Sequence, residues 1–223
     1  MTFDLSSEID KARRTVGGRD DARVVLLSRT YDAPVEDVWD ACTDAERIAR
    51  WFLPVTGELR LGGRYQLQGN AGGEVRECEP PHRFLVTWGM SEDDRSTVEL
   101  RLAPADGGAT ELTLEHVAVV PPEFWDQFGP GAVGVGWDLA LVGLAAHLAG
   151  VDLGDPATLE TSPEMRALQT ASAQLWRGAH EASGADPWGG ARPGRRPRPP
   201  PPRPPRSTSR RSTRTRHPDP RWA

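Results

Sequence analysis

Between Gly57 and His116 the chain passes through six short segments, GELRL, GRYQLQ, GEVREC, HRFLVTW, STVELRL and TELTLEH, separated by Gly, Pro and Asp. Short segments of this kind, punctuated by turn residues, predict an antiparallel meander. The last two set its polarity. Val98, Leu100 and Leu102 alternate with Glu99 and Arg101, and Leu112 and Leu114 alternate with Glu111, Thr113 and Glu115. Successive strand side chains point to opposite faces, so one face of this sheet is dry and the other wet. The same parity carries His116 to the dry face if the strand stays regular to its end.

Ahead of the meander, Arg23 to Tyr31 (RVVLLSRTY) reads as a strand that Asp32 and Pro34 end. Pro34 suits the first position of a helix, Glu36 and Asp37 favour its N-terminus, and Val35, Val38, Trp39 and Cys42 fall at i, i+3, i+4, i+7. A second short helix starts at Thr43 or Asp44, with Glu46 spaced for a capping box with Thr43, and reaches about Trp51. After the meander, a segment around Phe124 to Phe128 leads into a helix from Val133 to Ala149. Trp137, Leu141, Leu144 and Leu148 form one stripe of that helix, and Gly136, Ala140, Gly143 and His147 form an adjacent, smaller one. Val135, Leu139 and Val142 are apolar too, so this helix belongs largely in the interior. A last helix starts at Ser162, with Pro163 at its first position, and runs through Trp176 to about Ala182.

Composition divides the chain at Pro187. From there to Ala223 stand 11 of the 21 prolines and 11 arginines against one acid, with no Leu, Ile, Val or Phe. Such a stretch cannot bury a core, so residues 187–223 read as a disordered Arg/Pro-rich tail of formal charge +10, and the rest carries −15. The tail admits several readings: phosphate neutralisation on nucleic acid, PxxP-type recognition through PPRPPR, a passive extension, or a shifted reading frame in a GC-rich gene. The N-terminus has acids among its first residues and no apolar run, unlike a secretory signal, which places the protein in the cytoplasm. Cys42 and Cys78 stand far apart and read as small buried hydrophobes, not as a disulfide or metal pair. Asp138, His147 and several glycines make Ala132 to Gly150 a poor membrane span. No GxSxG, Walker loop, HExxH or metal-site spacing occurs, so neither a cofactor nor a metal is expected.

The runs YDAPVEDVWDACTDAERIARWF, GEVRECEPPHRFLVTW, TELTLEHV and FGPGAVGVGWDLALVGLAAHLAG, in that order, resemble the SRPBCC, or START-like, superfamily. Within it they are similar to the group named after the activator of heat-shock protein 90 ATPase, in its bacterial single-domain form. The resemblance implies an α+β helix-grip fold, an antiparallel sheet wrapped around a long C-terminal helix. The resemblance covers about Arg23 to Gly150; with the compositional break at Pro187, residues 23–186 are expected to form that domain, including a C-terminal helical extension, with 1–22 as an N-terminal extension. It further implies an apolar cavity between sheet and helix for a small hydrophobic molecule. Trp51, Arg64, Tyr65, Glu77, Trp88, His116 and Trp137 are then the candidate ligand-binding residues.

Two alternatives stand beside ligand binding. Val75 and Glu77 share a face of the GEVREC segment, and the resemblance turns that face inward, where Glu77 would need Arg64 or His116 as partner. If both face one space, Glu77 and His116 become a candidate catalytic acid and base in a cyclase-like or hydrolase-like enzyme. A cochaperone-like module with a chaperone partner would instead work from the exposed sheet face or the helix ends.

Overall fold

The alternation read between residues 97 and 118 becomes two paired strands in the computed structural model. It describes residues 3–90, 94 and 96–184, apart from the side chains of 156 and 157, all within a unit spanning Met1–Gly190. The tail expected at 187–223 lies outside the described residues. Strands β1 (Arg13–Arg19), β2 (Ala22–Tyr31), β3 (Val55–Gly57), β4 (Arg64–Leu67), β5 (Gly72–Glu79), β6 (Arg83–Thr87), β7 (Thr97–Pro104) and β8 (Thr110–Ala118) form one antiparallel sheet in the order β1-β2-β8-β7-β6-β5-β4-β3. Val98 faces His116, Leu100 faces Leu114 and Leu102 faces Leu112, so the apolar positions share one face. On the other face Arg101 reaches Glu99 at 2.8 Å and Arg19 reaches Glu115 at 2.9 Å. Dry and wet faces fall as the alternation predicts.

Two strand boundaries differ from the sequence reading. The sheet begins ten residues ahead of Arg23, because Arg13–Arg19 pairs with β2 along its whole length. Its sequence, RRTVGGR, has too little apolar periodicity to register as a strand, and Val16 is its one buried residue. Backbone hydrogen bonding carries this edge. A short helix α1 (Leu5–Ile9), capped by the Asp4 carboxylate, puts Ile9 into a small cluster with Val142 and Leu168. Residues 5–19, assigned to an extension, thus supply an edge strand and part of the interior. The GELRL segment does not run on as a strand, since Gly57 takes φ +106° and ends β3 there.

Helices α2 (Val35–Thr43) and α3 (Ala45–Trp51) follow β2 as expected. Their junction is capped differently: the Asp44 carboxylate accepts from the Arg47 N–H at 2.9 Å, while the Thr43 hydroxyl donates to the Trp39 carbonyl at 2.8 Å. After the sheet come α4 (Pro122–Phe128), α5 (Gly131–Leu148), α6 (Pro156–Glu160) and α7 (Pro163–Ala182), the last capped by Ser162.

Helix α5 is the one described helix long and apolar enough to cross a membrane, and here it forms the middle of the core. Trp137, Leu141 and Leu144 join the inner-face residues of the sheet. The Tyr31 hydroxyl ties β2 to the helix by donating to the Leu141 carbonyl at 3.0 Å. The opposite side of α5 meets α7 around Asp138, which is 1% exposed. Arg14 Nε lies 3.0 Å from both carboxylate oxygens, and Oδ2 also accepts from Ser172 Oγ at 2.5 Å and Trp176 Nε1 at 3.0 Å. Gly134 makes this contact possible, because a Cβ there would overlap the Trp176 ring.

Candidate functional site

Between the inner face of the sheet and helices α2, α3 and α5 lies a cavity of about 300 Å³. Four of the anticipated residues line it, Trp51, Tyr65, Trp88 and Trp137. Phe52 stacks on Trp51 and Trp137 with ring centroids 5.6 and 6.4 Å away, and Trp88 approaches Trp137 at 4.9 Å. Sequence reasoning missed Trp39 and Phe84, whose edge-to-face contact at 5.9 Å closes another part of the wall. The small stripe of α5 divides its roles. Ala140 lines the cavity, whereas Gly143 lets α3 pack closely, since an added Cβ would stand 2.7 Å from the Trp51 carbonyl oxygen.

The polar groups of this wall are already engaged. Tyr65 donates its hydroxyl to the Thr87 carbonyl at 2.7 Å, and Trp51 Nε1 donates to Ala41 at 2.9 Å. Trp137 Nε1 donates to His116 Nδ1 at 3.1 Å. No Asp, Glu, Lys, Arg or His stands among the described lining residues. Burial pushes the Cys42 thiol up to about 12 and raises the Tyr65 hydroxyl above its ordinary value, so both are neutral at physiological pH.

Glu77 and Arg64 point elsewhere. Val75 pairs with Val86 but Glu77 with Leu85, so a β-bulge at Arg76 inserts one residue and reverses the parity beyond it. Cys78 takes the inward position and lines the cavity, while the Glu77 carboxylate meets Arg83 on the outer face, where Arg83 also engages Glu99. Arg64 is exposed, alternating with the buried Tyr65 and Leu67. The Glu77–His116 acid and base pair is therefore corrected: the two side chains lie on opposite faces of the sheet.

His116 does face inward, and it is 5% exposed, but it sits behind Trp137 and not on the cavity wall. It contributes to a separate niche of about 30 Å³. Burial lowers its pKa to about 4, against a smaller opposing effect of Asp94. Unfolded His116 therefore takes up a proton near pH 6.5 while the folded form stays neutral down to about pH 4. Stability is unaffected above pH 6.5 and falls as the pH drops through this window, by about 3 kcal/mol in total. Urea unfolding of wild type and His116→Gln between pH 7 and 4 should show this extra loss in wild type alone. Parallel pH curves would refute it.

A family model described as activator of Hsp90 ATPase homolog 1-like protein matches residues 32–149. Among solved structures, the crystal structure of CalU16 from Micromonospora echinospora is similar at 36% identity, covering 76% of this chain and 98% of that one with a TM-score of 0.60. The solution NMR structure of CalU16 gives 36% identity, 77% and 96% coverage and a TM-score of 0.62. Protein MLL2253 from Mesorhizobium loti follows with 26% identity, 59% and 100% coverage and a TM-score of 0.51. No curated protein matches the chain. Sheet order, the long core helix and the matched segment agree, and the chain belongs to the activator of Hsp90 ATPase homolog 1-like family, with its α+β helix-grip fold.

Proposed function

We propose that this protein binds one small, uncharged, apolar molecule between the sheet and α5. The observation that carries the reading is the wall itself: an aromatic-rich cavity of about 300 Å³ whose described lining residues include no ionisable side chain beyond a tyrosine and two thiols. That volume stands at the lower end of ligand pockets, which run from roughly 300 to 1,000 Å³. A charged ligand would lose its hydration there without finding a counter-charge, whereas an apolar one loses only its contact with water.

Native mass spectrometry of the protein purified from its own host tests the proposal by seeking a bound small molecule that denaturation releases. Titration with the neutral fluorophore N-phenyl-1-naphthylamine supplies an independent measure. Ala140→Phe, which fills the cavity, should weaken the fluorophore by at least about tenfold, or 1.4 kcal/mol. Glu77→Gln, on the outer face, should leave its affinity unchanged. A host-purified protein with no bound molecule, together with no saturable fluorophore binding, would sink the reading.

The family description supports a second reading, a protein-interaction module with a chaperone partner. Such a partner would meet the wet face of the sheet, where Arg83, Glu99, Arg101 and Glu115 form a continuous set of charge contacts. Charge reversal at Arg101 would then abolish association and leave fluorophore binding intact.

A further inference from the structure

Five large apolar side chains stay exposed among the described residues, and three of them, Val119, Phe124 and Phe128, fall in the short stretch between β8 and α5. Phe124 and Phe128 stand one turn apart on α4, and their rings meet with centroids 4.7 Å apart. They are 44% and 51% exposed, while Trp125 of the same helix is buried. A lone exposed apolar residue is ordinary, but two phenylalanine rings in contact make one apolar patch that gains by being covered.

The end of α7 comes to this helix. The His180 ring lies edge-on to Trp125 with centroids 5.6 Å apart, and its Nδ1 would stand 3.5 Å from a Cβ placed on Gly129, the residue after Phe128. Beyond the last turn of α7, Gly184 takes φ +86°, a left-handed conformation that turns the chain. At 1.5 Å per residue, Gly184 lies about 6 Å past His180 along the helix direction. The sequence continues Ala185, Asp186, Pro187, Trp188, and Pro187 favours an extended Asp186. Four residues span up to about 13 Å, so a chain that turns at Gly184 brings Trp188 back over Phe128. After Gly184 the sequence holds two large apolar side chains, Trp188 and Trp222, and only Trp188 is tethered this closely.

We propose that residues 185–190 fold back on α4, with the Trp188 indole covering the Phe124 and Phe128 rings. A tryptophan offers roughly 150–250 Å² of surface to bury, and aromatic pairs gain beyond their area. The short tether presents the indole at an effective concentration of about millimolar order, so a contact too weak to hold a separate molecule still closes. Glu123 and Asp126, exposed on the same helix, disfavour a rival occupant of an aromatic pair, an anionic membrane surface. The docked segment fastens the end of α7 to α4. It is independent of ligand binding, because none of the described residues lining the apolar cavity belongs to either helix.

Fluorine NMR of the full chain, grown with 5-fluorotryptophan, tests the proposal. Each of the eight tryptophans gives one signal, and Trp188→Phe and Trp222→Phe identify those of Trp188 and Trp222. The expected result is a Trp188 signal displaced from that of Trp222 and unchanged on about hundredfold dilution, as an intramolecular contact requires. Phe124→Ser with Phe128→Ser should return it to the Trp222 position, while the signals of buried Trp125 and Trp176 stay in place and report an intact fold. Coincident Trp188 and Trp222 signals in the wild type, or a displacement that survives the double variant, would overturn the proposal. A displacement lost on dilution would overturn it too, by giving the patch to a second copy of the chain. Should the double variant disturb Trp125, Phe128→Ser alone decides, because Phe128 is the more exposed of the pair.

Discussion

Asp138→Ala should cost the protein about 3–5 kcal/mol, the usual effect of removing one partner from a buried ion pair. The Arg14 side chain is 5% exposed and that of Asp138 is 0% exposed, so truncation strands a guanidinium in the interior. Ser172 Oγ and Trp176 Nε1 lose their acceptor at the same time. Three elements part together, since these residues come from β1, α5 and α7. Thermal unfolding should shift down by roughly 6–20 °C, at about 2–4 °C per kcal/mol for a domain of this size. The double variant Arg14→Met, Asp138→Leu should recover much of the loss, because apolar replacements of a buried pair carry no stranded charge. A single-variant loss below about 1 kcal/mol would show that α7 is not anchored through this carboxylate.

Trp137→Ala should be comparably destabilising, at about 3–5 kcal/mol for a large aromatic deleted from a packed core. Trp137 is 9% exposed, stacks with Phe52 and lies against Trp88, so little can collapse into the space it leaves. The substitution also removes the donor that orients His116. Trp137→Phe separates these roles. It keeps most of the bulk and drops the N–H, and should cost about 0.5–1.5 kcal/mol more than the lost volume accounts for. Urea unfolding followed by circular dichroism measures both. A near-neutral Trp137→Ala would contradict the packing of α5 on the sheet.

The fold was legible because its signals are local. Alternation over residues 98–102 and 111–115 assigns side chains to faces from neighbours in the chain alone, and it carried His116 correctly to the inner one. The stripe of Trp137, Leu141 and Leu144 identified the helix that covers that face, and Ser162–Pro163 located the start of α7. Strand β1 escaped notice because its pairing rests on backbone groups that every sequence possesses.

The site was legible only in part. Aromatic residues at Trp51, Trp88 and Trp137 announced an apolar interior, but Glu77 was misplaced because a bulge arises from pairing with β6, a partner its own segment does not reveal. One inserted residue in a period-two pattern exchanges inside for outside. Asp138 carried a signal that went unused: an acid within an otherwise apolar buried helix must have a partner. That partner, Arg14, lies 124 residues away. Sequence by itself thus determined which faces are wet and dry and which helix fills the sheet, since periodicity is a property of neighbours. Only the tertiary structure decided that Glu77 and His116 never meet, that His116 stands behind Trp137, and that Asp138 joins both ends of the domain, because each depends on distances between residues far apart in the chain.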